Sequence, residues 1–185
     1  MKKDLLILGF VLILAVVLLR GTKIQSVEDY YQTHIDDIRE DSEVVTLSIR
    51  CDTILDNYDS LKEELRDEKY VPADGIILKP TQYVLRKGDT VFDILNRATR
   101  HEQIHMEYQG ADENAYDSVY IQGINYLYEY SCGELSGWMY LVNGESPNRG
   151  CSSYELENGD NIEFVYTCDL GRDVEIGKSR EENGT

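Results

Sequence analysis

Positive charge is scarce in this chain. Lys and Arg together number 18 against 35 Asp and Glu, a formal net charge of −17 over 185 residues. Such an excess repels nucleic acid and anionic lipid headgroups, which removes both as partners of the folded part. It suits the solubility of a surface-exposed domain. Cation binding is the lesser reading, because no carboxylate cluster has calcium-loop spacing. No internal repeat, low-complexity segment, phosphate loop, Ser/His/Asp arrangement or basic patch stands out. Proline is rare, at 3 residues, and no Cys-x-x-Cys pair occurs.

Hydrophobic residues make up 42% and charged residues 29%, the balance of a globular chain. The aromatic content is dominated by 14 Tyr, a residue suited to strands and half-buried binding surfaces because it joins a large apolar area to a polar tip.

The longest apolar run is Leu5 to Leu19, preceded by Lys2 and Lys3 and closed by Arg20. It is shorter than the roughly 20 residues a bilayer core requires, although Lys2, Lys3, Arg20 and Lys23 can snorkel and extend it. No small-x-small pair precedes a plausible cleavage site, so residues 1–21 are expected to be an uncleaved signal anchor in the cell membrane, with secretion after cleavage as the alternative. The first cysteine is Cys51, which excludes a lipoprotein anchor. Residues 22–43 are polar and acidic and read as a stalk. A domain over 44–175 and a flexible tail over 176–185 complete the expected organisation.

All four cysteines, Cys51, Cys132, Cys151 and Cys168, lie beyond the anchor. An even number in an exported chain suggests two disulfides, each worth roughly 2–4 kcal/mol, and three connectivities are open. The closest pair, Cys151 and Cys168, is 17 positions apart, which disfavours a zinc site.

Val44–Arg50 alternates apolar and polar residues and reads as a strand. Residues 52–69 carry Ile54, Leu55, Tyr58, Leu61 and Leu65 at helical spacing, which predicts an amphipathic helix. Short strands are expected at 76–78 and 83–85, separated by Pro80. Thr90 or Asp89 suits the cap of a helix whose apolar face is Val91, Ile94, Leu95 and Ala98. Residues 119–130 are a Tyr-rich stretch interrupted at Gly123, in which Tyr126, Tyr128 and Tyr130 would share a strand face. Trp138–Val142 is a strand followed by the turn signal Asn143-Gly144, and 162–167 is the last strand. Short strands with one capped helix laid across them form an α+β pattern.

The order Lys87-Gly88-Asp89-Thr90-Val91, then Gly137-Trp138-Met139-Tyr140, Asn143-Gly144, Pro147, Gly150, Tyr154 and Gly159-Asp160-x-Ile162 resembles the transcobalamin-like C-terminal domain family, also catalogued as a domain of unknown function in Gram-positive surface proteins. The resemblance covers about residues 44–175. It implies a β-grasp-like fold and a binding role, with cobalamin or a related corrinoid as a possible ligand and no required cofactor. Carried over by position, it implies that Trp138, Met139 and Tyr140 face the ligand. In such a sheet the first and last strands are parallel neighbours, which implies the pairs Cys51–Cys168 and Cys132–Cys151. The large helical domain that supplies most corrinoid contacts in the animal carriers is absent from this sequence, so the implied partners include a second protein or a transporter.

One motif points elsewhere. His101-Glu102-Gln103-Ile104-His105 matches H-E-x-x-H, in which two His one helical turn apart hold zinc and the Glu activates water. It falls at the end of the capped helix, lacks a specific third ligand and has Arg100 beside it, so His101 and His105 are only weak metal candidates. The resulting expectation is a membrane-tethered extracytoplasmic binding module and no enzyme. A cell-surface protein-interaction or adhesion module is the alternative, and a zinc metallohydrolase the remote one.

Overall fold

The computed structural model describes residues 37–113 and 117–174. The expected anchor, the expected stalk through residue 36 and the expected tail lie outside the described residues. Among those described, no helix is long and apolar enough to cross a membrane. Residues 38–113 and 117–174 belong to one compact unit.

Eight main elements follow in order: β1 (Val44–Arg50), β2 (Ile76–Val84), α1 (Val91–His101), β3 (Met106–Gln109), β4 (Tyr120–Ile124), β5 (Leu127–Tyr128), β6 (Gly137–Val142) and β7 (Asn161–Thr167). They form a four-stranded sheet ordered β2-β1-β7-β6 and a three-stranded sheet ordered β3-β4-β5. β1 and β7 are parallel, with Leu47 opposite Ile162 and Ile49 opposite Phe164. Their other neighbours, β2 and β6, run antiparallel to them. The architecture is α+β.

The alternation of β1 decides the faces. Val45, Leu47 and Ile49 turn one way and join Ile162 and Phe164 of β7 beneath Val91, Ile94, Leu95 and Ala98 of α1. Each fully buried aliphatic side chain there stabilises the fold by roughly 1.5–3 kcal/mol. The opposite face carries a smaller cluster of Leu141, Val165 and Val174, with Met139 packed against it.

Helix α1 begins where its capping residues require. The Thr90 hydroxyl accepts from the Asp93 N–H at 3.3 Å, and the Asp93 carboxylate accepts from the Thr90 N–H at 2.9 Å. This reciprocal pair satisfies two otherwise unpaired donors of the first turn. Arg97 then ties the helix to β2 by donating to the Val84 carbonyl and to Asp89, both at 2.7 Å.

Three elements differ from the sequence expectation. Residues 76–84 form one strand through Pro80 rather than two. β2 is an edge strand, where a missing N–H is tolerated, and the register with β1 shifts by one residue between Leu47 and Ile49, accommodating the proline as a bulge. The helix expected over 52–69 is instead a 3-10 segment at Asp52–Ser60 and a second at Glu63–Leu65. Asn57 leaves helical geometry at φ −122°, and its side chain bonds back to the Thr53 carbonyl, a local competition that Asp and Asn residues favour. The Tyr-rich stretch folds as the β4–β5 hairpin, which turns at Asn125-Tyr126 and not at Gly123. Gly123 sits inside β4 because the Tyr128 ring lies across it; a Cβ there would come within 2.6 Å of that ring. Tyr126, Tyr128 and Tyr130 therefore do not share a strand face: Tyr126 and Tyr130 both occupy turn conformations with positive φ.

Candidate functional site

The element carrying the expected contact residues is β6, and it is the outer strand of the four-stranded sheet. Its backbone orientation follows from the hairpin that joins it to β7. Asn143 donates its N–H to the Asn161 carbonyl at 2.8 Å, whereas Val142 donates away from β7, to the Glu145 carbonyl at 2.9 Å. Backbone groups alternate along an antiparallel ladder, so those of Trp138 and Tyr140 turn outward with those of Val142. β6 thus brings aromatic side chains and outward-facing peptide groups to the same residues.

The register sets Trp138 opposite Tyr166 and Tyr140 opposite Phe164, on the helix side of the sheet. Trp138 is half-buried. Its indole N–H donates to the Leu127 carbonyl at 2.7 Å, and its ring meets Tyr166 edge-on at 5.3 Å. Tyr140 stacks on Phe164 at 5.9 Å and donates its hydroxyl to the Arg149 carbonyl at 2.6 Å. Burial, followed by the nearby Cys151 and Tyr154, pushes the Tyr140 phenol up to about 12. Both aromatic tips are thereby pinned by internal carbonyls. Met139 lies on the other face, packed against Leu141, Val165 and Val174. The structure thus groups Trp138 with Tyr140 and separates Met139 from them. The partners that fix the two rings, the carbonyls of Leu127 and Arg149, left no trace in side-chain identity. The outward turn of the β6 backbone could have been anticipated only from the strand order.

The cysteines are thiols in this structure; Cys51, Cys132 and Cys168 share one cluster, whereas Cys151, the expected partner of Cys132, lies in another. β1 and β7 are parallel neighbours, but Arg50 pairs with Val165, which sets Cys51 level with Tyr166, two residues short of Cys168. The chain then leaves the sheet into the 3-10 segment. Cys151 lies in the main core beside Val119, whose carbonyl accepts from its thiol at 3.4 Å, and so belongs to a different cluster from Cys132. Cys132 instead shares a cluster with Cys168: its sulfur lies 3.4 Å from the Asn57 carbonyl and that of Cys168 lies 3.8 Å from Thr53 Oγ1, one turn away on the same 3-10 segment, and the neighbouring sulfurs hold the Cys132 thiol below its usual range and push the Cys168 thiol up. Burial pushes the thiols of Cys51 and Cys151 up to about 12 and about 11.

The H-E-x-x-H segment does not form a helical metal pair. Helix α1 ends at His101, Glu102 caps it, and Gln103 turns the chain at φ 58°. His101 is 78% exposed and bonds only to the neighbouring Glu102 at 2.9 Å. His105 lies beyond the helix, stacked on Tyr126 at 4.1 Å, with Nε2 3.2 Å from Glu107. Among the described residues no group of three His, Cys, Asp or Glu could hold a metal ion.

Residues 88–167 match the model of a domain of unknown function, DUF4430. The match begins at the turn preceding the Thr90 cap and ends with β7, so it contains α1, β6 and the whole of the candidate site. β1 and β2, which complete the sheet, precede it. Among solved structures, haptocorrin in complex with Cbi is similar at 16% identity and a TM-score of 0.47, over 72% of this chain and 27% of that one. The chain thus spans about a quarter of that structure's length. No curated protein matches it.

Proposed function

We propose that this chain is a binding module, tethered by its N-terminal segment on the outer side of the cell membrane, with strand β6 as its contact element. The observation that carries this reading is the combination on β6: Trp138 and Tyr140, each pinned at its polar tip, also turn their own peptide groups outward at the edge of the sheet. A planar, partly apolar ligand bearing amide arms requires aromatic faces and backbone hydrogen-bonding groups in one place. Rings already held in position lose little freedom on contact, which favours affinity. The β-grasp-like strand order and the family resemblance make a corrinoid the first ligand class to try. Closure over a ligand presented by a second protein, or hand-over to a transporter, fits a module of this size.

The test is a titration of the full chain, in detergent, with cyanocobalamin, followed by corrinoid absorbance and by the emission of Trp138, the single tryptophan. Saturable one-to-one binding that Trp138→Phe and Tyr140→Ala each weaken by about tenfold, the effect of roughly 1.4 kcal/mol, supports the reading. Absence of binding at millimolar ligand overturns stand-alone corrinoid capture.

A protein-interaction role has its own supporting observation. Tyr130, Leu135 and Leu170 are 60%, 42% and 65% exposed. Two short bonds gather them, Leu170 N–H to the Leu135 carbonyl and Tyr130 N–H to the Ser136 carbonyl, both 3.1 Å. Exposed large apolar side chains grouped in this way mark contact surfaces. This reading is supported if Leu170→Ser abolishes binding to a surface partner while leaving the corrinoid titration unchanged.

A further inference from the structure

The loops 130–136 and 168–174 meet at the end of β7, and their contact contains two sulfurs. Cys132 is buried, Cys168 is half-exposed, and both belong to one apolar cluster. The contact is braced on every side. The Cys132 thiol donates to the Asn57 carbonyl at 3.4 Å, and its backbone N–H donates to Ser136 Oγ at 3.0 Å. The Cys168 sulfur lies 3.8 Å from Thr53 Oγ1, and the Cys168 N–H donates to the Asp173 carboxylate at 2.7 Å. Beside the pair, the Tyr166 hydroxyl reaches the Tyr128 carbonyl at 2.7 Å, and Leu170 bonds to Leu135. Two sulfurs in one cluster, set against Thr53 and Asn57 one turn apart and carried on backbones fixed by independent bonds, need only a rotation of side chains to reach bonding distance, whereas distant cysteines would require the backbone to move.

We propose that Cys132 and Cys168 are a redox pair that closes to a single intramolecular disulfide, while Cys51 and Cys151 remain buried thiols. Half-exposed Cys168 is the entry point. Its thiolate attacks a small-molecule disulfide such as oxidised glutathione, releasing one glutathione thiol and forming a mixed disulfide. The Cys132 thiolate then attacks the Cys168 sulfur and expels the second glutathione. Two protein thiols are oxidised by two electrons, one glutathione disulfide is reduced to two thiols, and the protons lost from the protein appear on those products. Cys51 and Cys151 are fully or nearly fully buried, so neither meets a dissolved disulfide as half-exposed Cys168 does.

The closed bridge would join the segment leading into β6 to the segment following β7. It would hold together the two loops that carry Leu135 and Leu170.

The test uses the full chain, first reduced, then equilibrated with oxidised glutathione, blocked with N-ethylmaleimide under native conditions and mapped by mass spectrometry without reduction. The expected result is one cross-linked peptide pair containing Cys132 and Cys168, lighter by two hydrogens than the separate peptides, with Cys51 and Cys151 labelled only after unfolding. A Cys51/Cys151 double alanine variant keeps the cross-link. Thermal melting supplies a second readout: reduction lowers the midpoint of the wild-type chain and leaves that of a Cys132/Cys168 double serine variant unchanged. Recovery of Cys51–Cys168 or Cys132–Cys151, or of four free thiols after glutathione treatment, overturns the proposal.

Discussion

The two sheets of this domain are held by different means. In the four-stranded sheet, Leu47, Ile49, Ile162 and Phe164 are essentially inaccessible and stand under the apolar face of α1. The three-stranded sheet buries Ile121, Ile124 and Leu127, but its outer residues Tyr108 and Tyr126 are well exposed. Polar ties hold it together. The Tyr128 hydroxyl donates to Glu107 at 2.8 Å, that of Tyr120 donates to Glu129, and Asn125 donates to the carbonyls of Lys69 and Tyr70. One sheet is specified by volume and alternation, the other by hydroxyls and a turn. Volume lost from the first should therefore cost far more than an aromatic ring lost from the second.

The sharpest test of that contrast is Ile49→Ala. It empties a fully buried position between β7 and α1 and should destabilise the domain by about 2–5 kcal/mol in urea unfolding. Tyr108→Ala, at an exposed position with one edge contact to Phe92, should cost no more than about 1 kcal/mol. Equal losses would mean that the small sheet is as much a part of the core as the large one.

A smaller effect comes from the groups buried where β1 and β7 end. Burial pushes the Cys51 thiol from 9.0 to about 12 and the Tyr166 phenol from 10.0 to about 12. The unfolded chain therefore loses these protons first, and between the two sets of values it binds fewer protons than the folded chain. Stability is unaffected by these groups below pH 9. It falls as pH rises, from about 9 for the thiol and about 10 for the phenol, until both folded groups titrate near 12. Denaturant midpoints measured between pH 8 and pH 11 should decline accordingly, and Cys51→Ala should make the earlier part of the decline shallower, the raised thiols of Cys151 and Cys168 supplying the rest. A flat profile would mean that this end of the sheet admits water.

The contrast also explains what could be read in advance. The strands 44–50, 137–142 and 161–167 and the capped helix announce themselves because a period of two or a Thr90 cap with its apolar face is written in side chains. The parallel pairing of β1 with β7 follows from the family resemblance. Its register does not, and it sets Cys51 level with Tyr166 rather than with Cys168. The 3-10 break at Asn57 arises from a side-chain bond competing with the helix, which helical spacing does not reveal. At the candidate site, the alternation that sets Trp138 and Tyr140 on one face and Met139 on the other is legible from the strand alone. The carbonyls of Leu127 and Arg149 that fix the rings come from backbone folded in from elsewhere.

The finest test concerns the turn that makes the small sheet possible. Tyr126 holds φ at 66°, a conformation that costs a non-glycine residue about 1–2 kcal/mol, and its ring stacks on His105 at 4.1 Å. Glycine would remove the strain and also the stack, worth about 0.5–1.5 kcal/mol, so Tyr126→Gly should change stability by less than about 1 kcal/mol. The near cancellation can be taken apart by a double-mutant cycle in urea unfolding. His105→Ala should destabilise the wild-type chain and have a smaller effect once Tyr126 is glycine, because the stacking partner is already gone. If His105→Ala costs the same in both backgrounds, the stack contributes nothing, and the tyrosine is kept in a strained turn for its exposed face, 48% of which is open to solvent.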